Sequence, residues 1–172
     1  MSNTVTTRPR RSVQAGLLGL TAVALYAIVG VLQVLVWNPM AAVPGETLGD
    51  IRAQLAQADA PLTGNGVVTW AIVGVLLSAV VPIFAATRAS VTTELVVAAT
   101  LVLLVFAAPG HIFVAFGPGL SIADTFGVSG ADHAPWGAAL YLVSGFALAG
   151  LIVLIIRAAR SRAANPGGQP RG

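Results

Sequence analysis

The 172-residue chain contains no cysteine and no lysine. Without cysteine it has no disulfides, no thiolate metal sites and no thiol chemistry. Charge of either sign is scarce: 9% of residues are charged, against about a quarter in a soluble domain. With 56% hydrophobic residues and a mean hydropathy of +0.87, there is too little polar surface to clothe a globule. Lipid must be the solvent for most of the chain. No P-loop, GxSxG, HExxH or dinucleotide fingerprint occurs, so the common signatures of catalysis and of a bound cofactor are missing. The expected protein is not an enzyme and carries no cofactor.

What is present is a set of long apolar runs at 15–36, 67–86, 91–108 and 135–156. The first, at 1.5 Å per residue, spans roughly 33 Å, enough for a hydrocarbon core of about 30 Å. It is also too long for a signal-peptide core, and Asn38-Pro39 follows where a small-residue cleavage site would belong. In the third run nine apolar residues, Leu95 to Val97 and Leu101 to Phe106, favour insertion by roughly −3 to −5 kcal/mol together. The expectation is an all-α, up-down four-helix transmembrane bundle over 15–156. A basic segment, 1–14, precedes it, and a basic, disordered tail, 157–172, follows it. Helices two and three, joined only by 87–90, must form an antiparallel hairpin. Ser90 is the expected cap of the third helix, with Glu94 one turn in, near the interface and within reach of Arg88.

Eight of the nine arginines fall on one side of this topology. Arg8, Arg10 and Arg11 precede the first run, Arg88 lies in the tight turn, and Arg157, Arg160, Arg162 and Arg171 follow the fourth; Arg52 alone is opposite. Glu46, Asp50, Asp59, Asp124 and Asp132 mirror them. Short arginine-rich loops stay inside, so both termini are expected in the cytoplasm of a plasma membrane. A formal charge of +3 and a pI near 10.6 could be read as nucleic-acid binding. The arginines are instead dispersed at helix ends, where they meet anionic headgroups, and no nucleic acid is expected. Trp37, Trp70 and Trp136 all map to the outer interface. The arginine-only, Ala-, Gly- and Val-rich composition fits a GC-rich bacterial genome.

Two outer loops remain. In the first, Leu48, Ile51 and Leu55 share one face, Thr47 suits a cap three residues before Asp50, and Gly64-Asn65-Gly66 reads as a turn. A short amphipathic outer helix over 47–58 is expected. The second loop, 109–134, interleaves Ile112, Phe113, Val114, Phe116, Leu120, Ile122 and Phe126 with glycine and proline. Phe113, Phe116 and Phe126 are expected to hold it as an ordered cap over the bundle mouth and to offer the partner surface.

His111, His133, Asp124 and Asp132 fall in that same loop and are of types that suit zinc or copper. Their spacing fits no tight motif, since twenty-two residues separate the histidines. The alternative has Asp132 capping helix four, with Pro135 in its first turn and His133 solvated. Inside the spans the polar residues are Thr21, Tyr26, Gln33, Thr69, Ser78, Thr100, Tyr141 and Ser144, none of them ionised. That argues against a proton-coupled carrier, though not against a passive pore. Gln33 is expected to join helices near the outer interface. Small residues four apart, Gly74 and Ser78 in helix two and Gly137, Tyr141, Gly145 and Ala149 in helix four, are expected to pack helices closely. Pro82 is expected to kink helix two.

These features favour a non-enzymatic accessory or scaffold protein that contacts a larger membrane complex through its outer loops or helix four. Its partners are the lipid bilayer and a membrane protein or a second copy of the chain. The alternative is a small oligomeric channel or facilitator lined by the hydroxyls and Gln33. A third reading is an outer-face metal-binding protein or enzyme built on the histidines.

Overall fold

A computed structural model describes residues 8–164; the segment 1–7 and the end of the expected tail, with Arg171, lie outside the described residues. All regular structure among the described residues is helical. Helix α1 runs Arg8–Leu32, passes through a widened turn at Gln33–Trp37 and continues as Asn38–Ala42. Then follow α2 (Leu48–Gln57), α3 (Asn65–Thr87), α4 (Thr93–Phe126) and α5 (Trp136–Ala164). The helices α1, α3, α4 and α5 are long and apolar enough to cross a membrane.

Several boundaries differ from the sequence reading. The largest difference is α4, which does not stop at 108 but runs 34 residues through Pro109 and Pro118 to Phe126. At 1.5 Å per residue it is about 51 Å long. Proline removes one donor and frees one carbonyl, a loss that an otherwise apolar helix inside a bundle tolerates. The expected loop 109–134 therefore shrinks to the connector after Gly127, whose φ of 66° supplies the left-handed residue that ends the helix. Secondly, the cap of α4 is Thr92, not Ser90: its hydroxyl accepts from the Leu95 N–H at 3.2 Å. Glu94 does lie in the first turn, and it lines a cleft with Arg11 and Arg88. Thirdly, α1 begins before residue 15, and α5 continues past Ile156 to Ala164, so that part of the expected tail is helical. Asn65-Gly66 likewise opens α3 rather than forming a turn.

Helices α1 and α4 run parallel in strict register. Ser12 meets Thr93 and Gly30 meets His111, each pair 81 positions apart, and a Cβ on Gly19 would run into Thr100 at the same separation. The steps between these contacts, seven and eleven residues, are close to two and three helical turns, so one face of each helix carries the whole seam. Helix α3 packs antiparallel on α1 and touches α4, while α5 packs chiefly on α4. Val23, Tyr26, Leu104, Leu140 and Ala147 form the core between them.

Close approach falls on glycines other than those expected. A Cβ on Gly16 would stand 2.8 Å from Pro82 Cα, so Gly16 makes room for the proline of α3. Gly74 and Gly145 meet nothing within 4 Å, and Gly145 and Ala149 face outward beside exposed Tyr141 and Phe146. Of the expected α5 stripe only Gly137 is buried. The buried face is Gly137, Leu140, Ser144 and Ala147, because helix packing follows i, i+3, i+4, i+7 rather than a bare i+4 row.

The two ends of the bundle differ in chemistry. Arg11 and Arg88 line one cleft, and Arg157 lines another with Glu94, at the arginine end. At the opposite end the rings of Trp37 and Trp136 lie 5.4 Å apart. Beyond this tryptophan end α2 packs on the last turns of α4, with Ile51 and Leu55 wholly buried against Ala42 and Ile122. Thr47 caps α2 by accepting the Asp50 N–H at 3.2 Å. Phe126 packs against this cluster, but Phe113 and Phe116 are 83% and 66% exposed. The expected three-phenylalanine cap is thus corrected: the platform is built by α2, and two of the three rings point off the exposed face of α4.

Candidate functional site

Apart from the exposed Thr69, the polar side chains expected in the spans divide into two groups. Thr21, Ser78 and Thr100 return their hydroxyl protons to carbonyls three or four residues earlier on the same helix. These are local satisfactions with no wider geometry. Tyr26, Gln33, Tyr141 and Ser144 instead reach other elements, and they gather in the half of the bundle nearer the tryptophan end.

The widened turn of α1 explains part of that gathering. There the Asn38 N–H donates to the Gln33 carbonyl five residues back. In a regular α-helix residues five apart lie about 140° apart around the axis. The extra residue per turn brings Gln33 and Asn38 onto one buried face, the kind of local π-turn that recurs at functional sites. Gln33 is fully buried. Its Nε2 donates to the Ala134 carbonyl at 3.3 Å and to Asp132 Oδ1 at 3.4 Å. Asn38 Oδ1 accepts the backbone N–H of His133 at 2.6 Å. Two side chains of α1 thereby fix the connector between α4 and α5.

Asp132 does not cap α5. Its Oδ2 accepts the Tyr141 hydroxyl at 2.9 Å, so the carboxylate is held between an amide from α1 and a phenol from α5. Gly137 makes room for it, since a Cβ there would meet the Asp132 carboxylate and displace it. Deeper in the bundle His111 is fully buried on α4. Its Nε2 lies 3.4 Å from the Gly30 carbonyl. Its ring meets Trp70 at 5.5 Å and Tyr141 at 6.4 Å between centroids, edge-on in both cases. Deeper still, the Tyr26 hydroxyl meets Ser144 Oγ at 3.1 Å, and Ser144 donates to the Leu104 carbonyl at 2.8 Å.

The four metal candidates are not brought together. His111 is enclosed in the bundle, whereas His133 is exposed and its Nε2 sits 2.9 Å from the Ser129 carbonyl. Asp124 is exposed on the platform side of α4, and Asp132, also exposed, is the one that Gln33 and Tyr141 hold. Among the described residues no group of three or more histidine, aspartate or glutamate side chains is disposed around a common point. The premise that the spans hold no ionisable side chain is also overturned, because α4 carries His111 inside the bundle. Trp70, read as an interfacial anchor, lies half-buried one level deeper than Trp37, in a slot between Gly30 and Gly110.

Sequence reasoning missed Asn38, Trp70, Gly30 and Gly110. The first stood in an Asn-Pro pair that resembled a helix end; the glycines carried no periodic signal. Two polar atoms of the cluster, Gln33 Oε1 and His111 Nδ1, are buried without a hydrogen-bond partner. Beside the cluster is a cavity of about 190 Å³, half-open at the tryptophan end, lined by Val34, Asn38, Ile112, Phe116, Ile122, Asp132 and Tyr141 among others. A larger apolar cleft of about 580 Å³ opens sideways between α1, α3 and α4, past Tyr26 and Trp70. The chain matches no protein-family model, no curated protein and no solved structure.

Proposed function

We propose that the chain is a plasma-membrane protein with both termini in the cytoplasm, acting as a non-enzymatic accessory or scaffold subunit of a larger membrane complex. The observation that carries this reading is the platform at the tryptophan end. Helix α4, at about 51 Å, outreaches a hydrocarbon core of about 30 Å, and α2 is fastened to its projecting turns through Ile51, Leu55 and Ile122. A folded projection with few residues of its own is suited to holding a partner in position. The orientation is supported by Arg11 and Arg88 sharing a cleft at one end while Trp37 and Trp136 meet at a tilt at the other. In this orientation the platform is extracytoplasmic.

A second reading, a small channel or facilitator, is favoured by the polar ladder inside the bundle: Tyr26 and Ser144, then His111, then Gln33, Asp132 and Tyr141. Purification from native membranes in mild detergent separates the two. A stoichiometric partner that is lost when the platform is disrupted by Ile51→Asp supports the accessory reading. A homo-oligomer that passes ions or small solutes in liposomes, with no other protein bound, overturns it in favour of the channel.

A further inference from the structure

We propose that the half-open cavity at the tryptophan end is a binding site for a small primary ammonium ion with a short apolar body. The argument begins with charge. The Asp132 carboxylate faces the cavity, and its two hydrogen bonds come from neutral donors, the Gln33 amide and the Tyr141 hydroxyl. No arginine lines the cavity. Arg52, from the neighbouring helix α2, is turned to the Leu35 carbonyl at 3.3 Å. A carboxylate held by neutral donors beside apolar walls attracts a cation.

The rest of the wall selects the kind of cation. A metal ion wants several hard or imidazole ligands around one point, and no such group occurs among the described residues. An ammonium group wants two or three acceptors on one side. Asp132 supplies one, and the Tyr141 oxygen has a free lone pair beside it. Gln33 is fully buried and is not part of the cavity wall; it holds the Asp132 carboxylate through its Nε2. Its amide orientation is fixed, because a flip would set Oε1 against Asp132 and the Ala134 carbonyl. The same cavity is lined by Val34, Ile112, Phe116 and Ile122, with Asn38 as a further polar neighbour. Phe116, largely exposed, borders the open side. The cavity's 190 Å³ equals roughly six water volumes at about 30 Å³ each, room for an ammonium group on a chain of four or five carbons. This site is independent of whether the protein serves as an accessory subunit or a facilitator.

The test is calorimetric titration of the purified full chain, in nanodiscs at neutral pH, with n-butylammonium chloride and with 1-butanol. Saturable binding of the ammonium and none of the alcohol is expected, with at least a tenfold weaker affinity in Asp132→Asn. Should that variant fail to fold, Ile112→Trp decides, since it fills the cavity from an exposed position and leaves every hydrogen bond of Asp132 in place; it should abolish binding. Equal binding of the alcohol, wild-type affinity in either folded variant, or no saturable heat with the native chain would overturn the proposal.

Discussion

The imidazole of His111 meets the indole of Trp70 edge-on, with 5.5 Å between ring centroids and 61° between ring planes. Neither ring is where its residue type usually rests in a membrane protein, the one ionisable, the other amphipathic. Both are there because α1 and α4 present glycine to the indole. A Cβ on Gly30 would come within 2.8 Å of the Trp70 ring, and one on Gly110 within 2.7 Å of its Nε1.

That slot makes a sharp prediction. Gly30→Ala and Gly110→Ala should each destabilise the bundle by about 1–3 kcal/mol through overpacking, and should shift Trp70 emission. Gly145→Ala, where nothing lies within 4 Å, should be neutral. Denaturant titration in detergent micelles with fluorescence readout measures all three. Wild-type stability in both slot variants would show that the indole is free to move.

The hydrogen bonds between Tyr26, Ser144 and Leu104 predict an asymmetry. Ser144 directs its proton to the Leu104 carbonyl at 2.8 Å, so Tyr26 is the donor across the 3.1 Å contact. Tyr26→Phe removes that donor and leaves Ser144 bonded, a loss of about 0.6 kcal/mol, the average for such bonds between membrane helices. Ser144→Ala strands the buried Tyr26 hydroxyl and should cost about 1–3 kcal/mol. Equal losses in the same titration would refute the assigned direction of donation.

Ile51 is wholly buried between α2 and the end of α4. An aspartate there would have to be buried unpaired or be expelled, so Ile51→Asp should release α2. Limited proteolysis should then cut within 43–63 at least tenfold faster, while α3 and the hairpin stay protected. Phe113→Ser, on an exposed ring, should leave the same digestion pattern unchanged. The idea fails if Ile51→Asp digests like the native chain.

The proposed cytoplasmic placement of the arginine end is checked with single cysteines in the cysteine-free chain. An impermeant thiol reagent applied to intact cells should label a cysteine at Ser129, in the exposed connector before α5, and spare those at Ser90 and Ser161. The reverse pattern would invert the protein in its membrane.

Much of the architecture was legible because hydropathy is additive along a helix: the apolar runs located four helices, and Thr47 with Asp50 located the start of α2. Chain punctuation misled where burial overrides it. Pro109-Gly110 and Gly117-Pro118-Gly119 read as breaks, yet α4 passes through both: the first lies inside the bundle, and beyond the second Ile122 packs on α2. The polar cluster was barely legible. Gln33 could be singled out as needing a partner, but nothing local names Asp132, 99 residues away. Asp132 carried a sound local reading as a helix cap, and tertiary hydrogen bonds to two other helices displaced it. His111 was assigned to a loop only because the end of its helix was misplaced.

The pairing of Gln33 has a consequence for biogenesis. Its two partners, Asp132 and the Ala134 carbonyl, are translated 99 and 101 residues later. At about 5–20 residues per second the nascent first helix waits roughly 5–20 s for them. Through that interval the Gln33 amide has neither partner. Helix α1 therefore reaches its final hydrogen bonding only once the connector before α5 has been made.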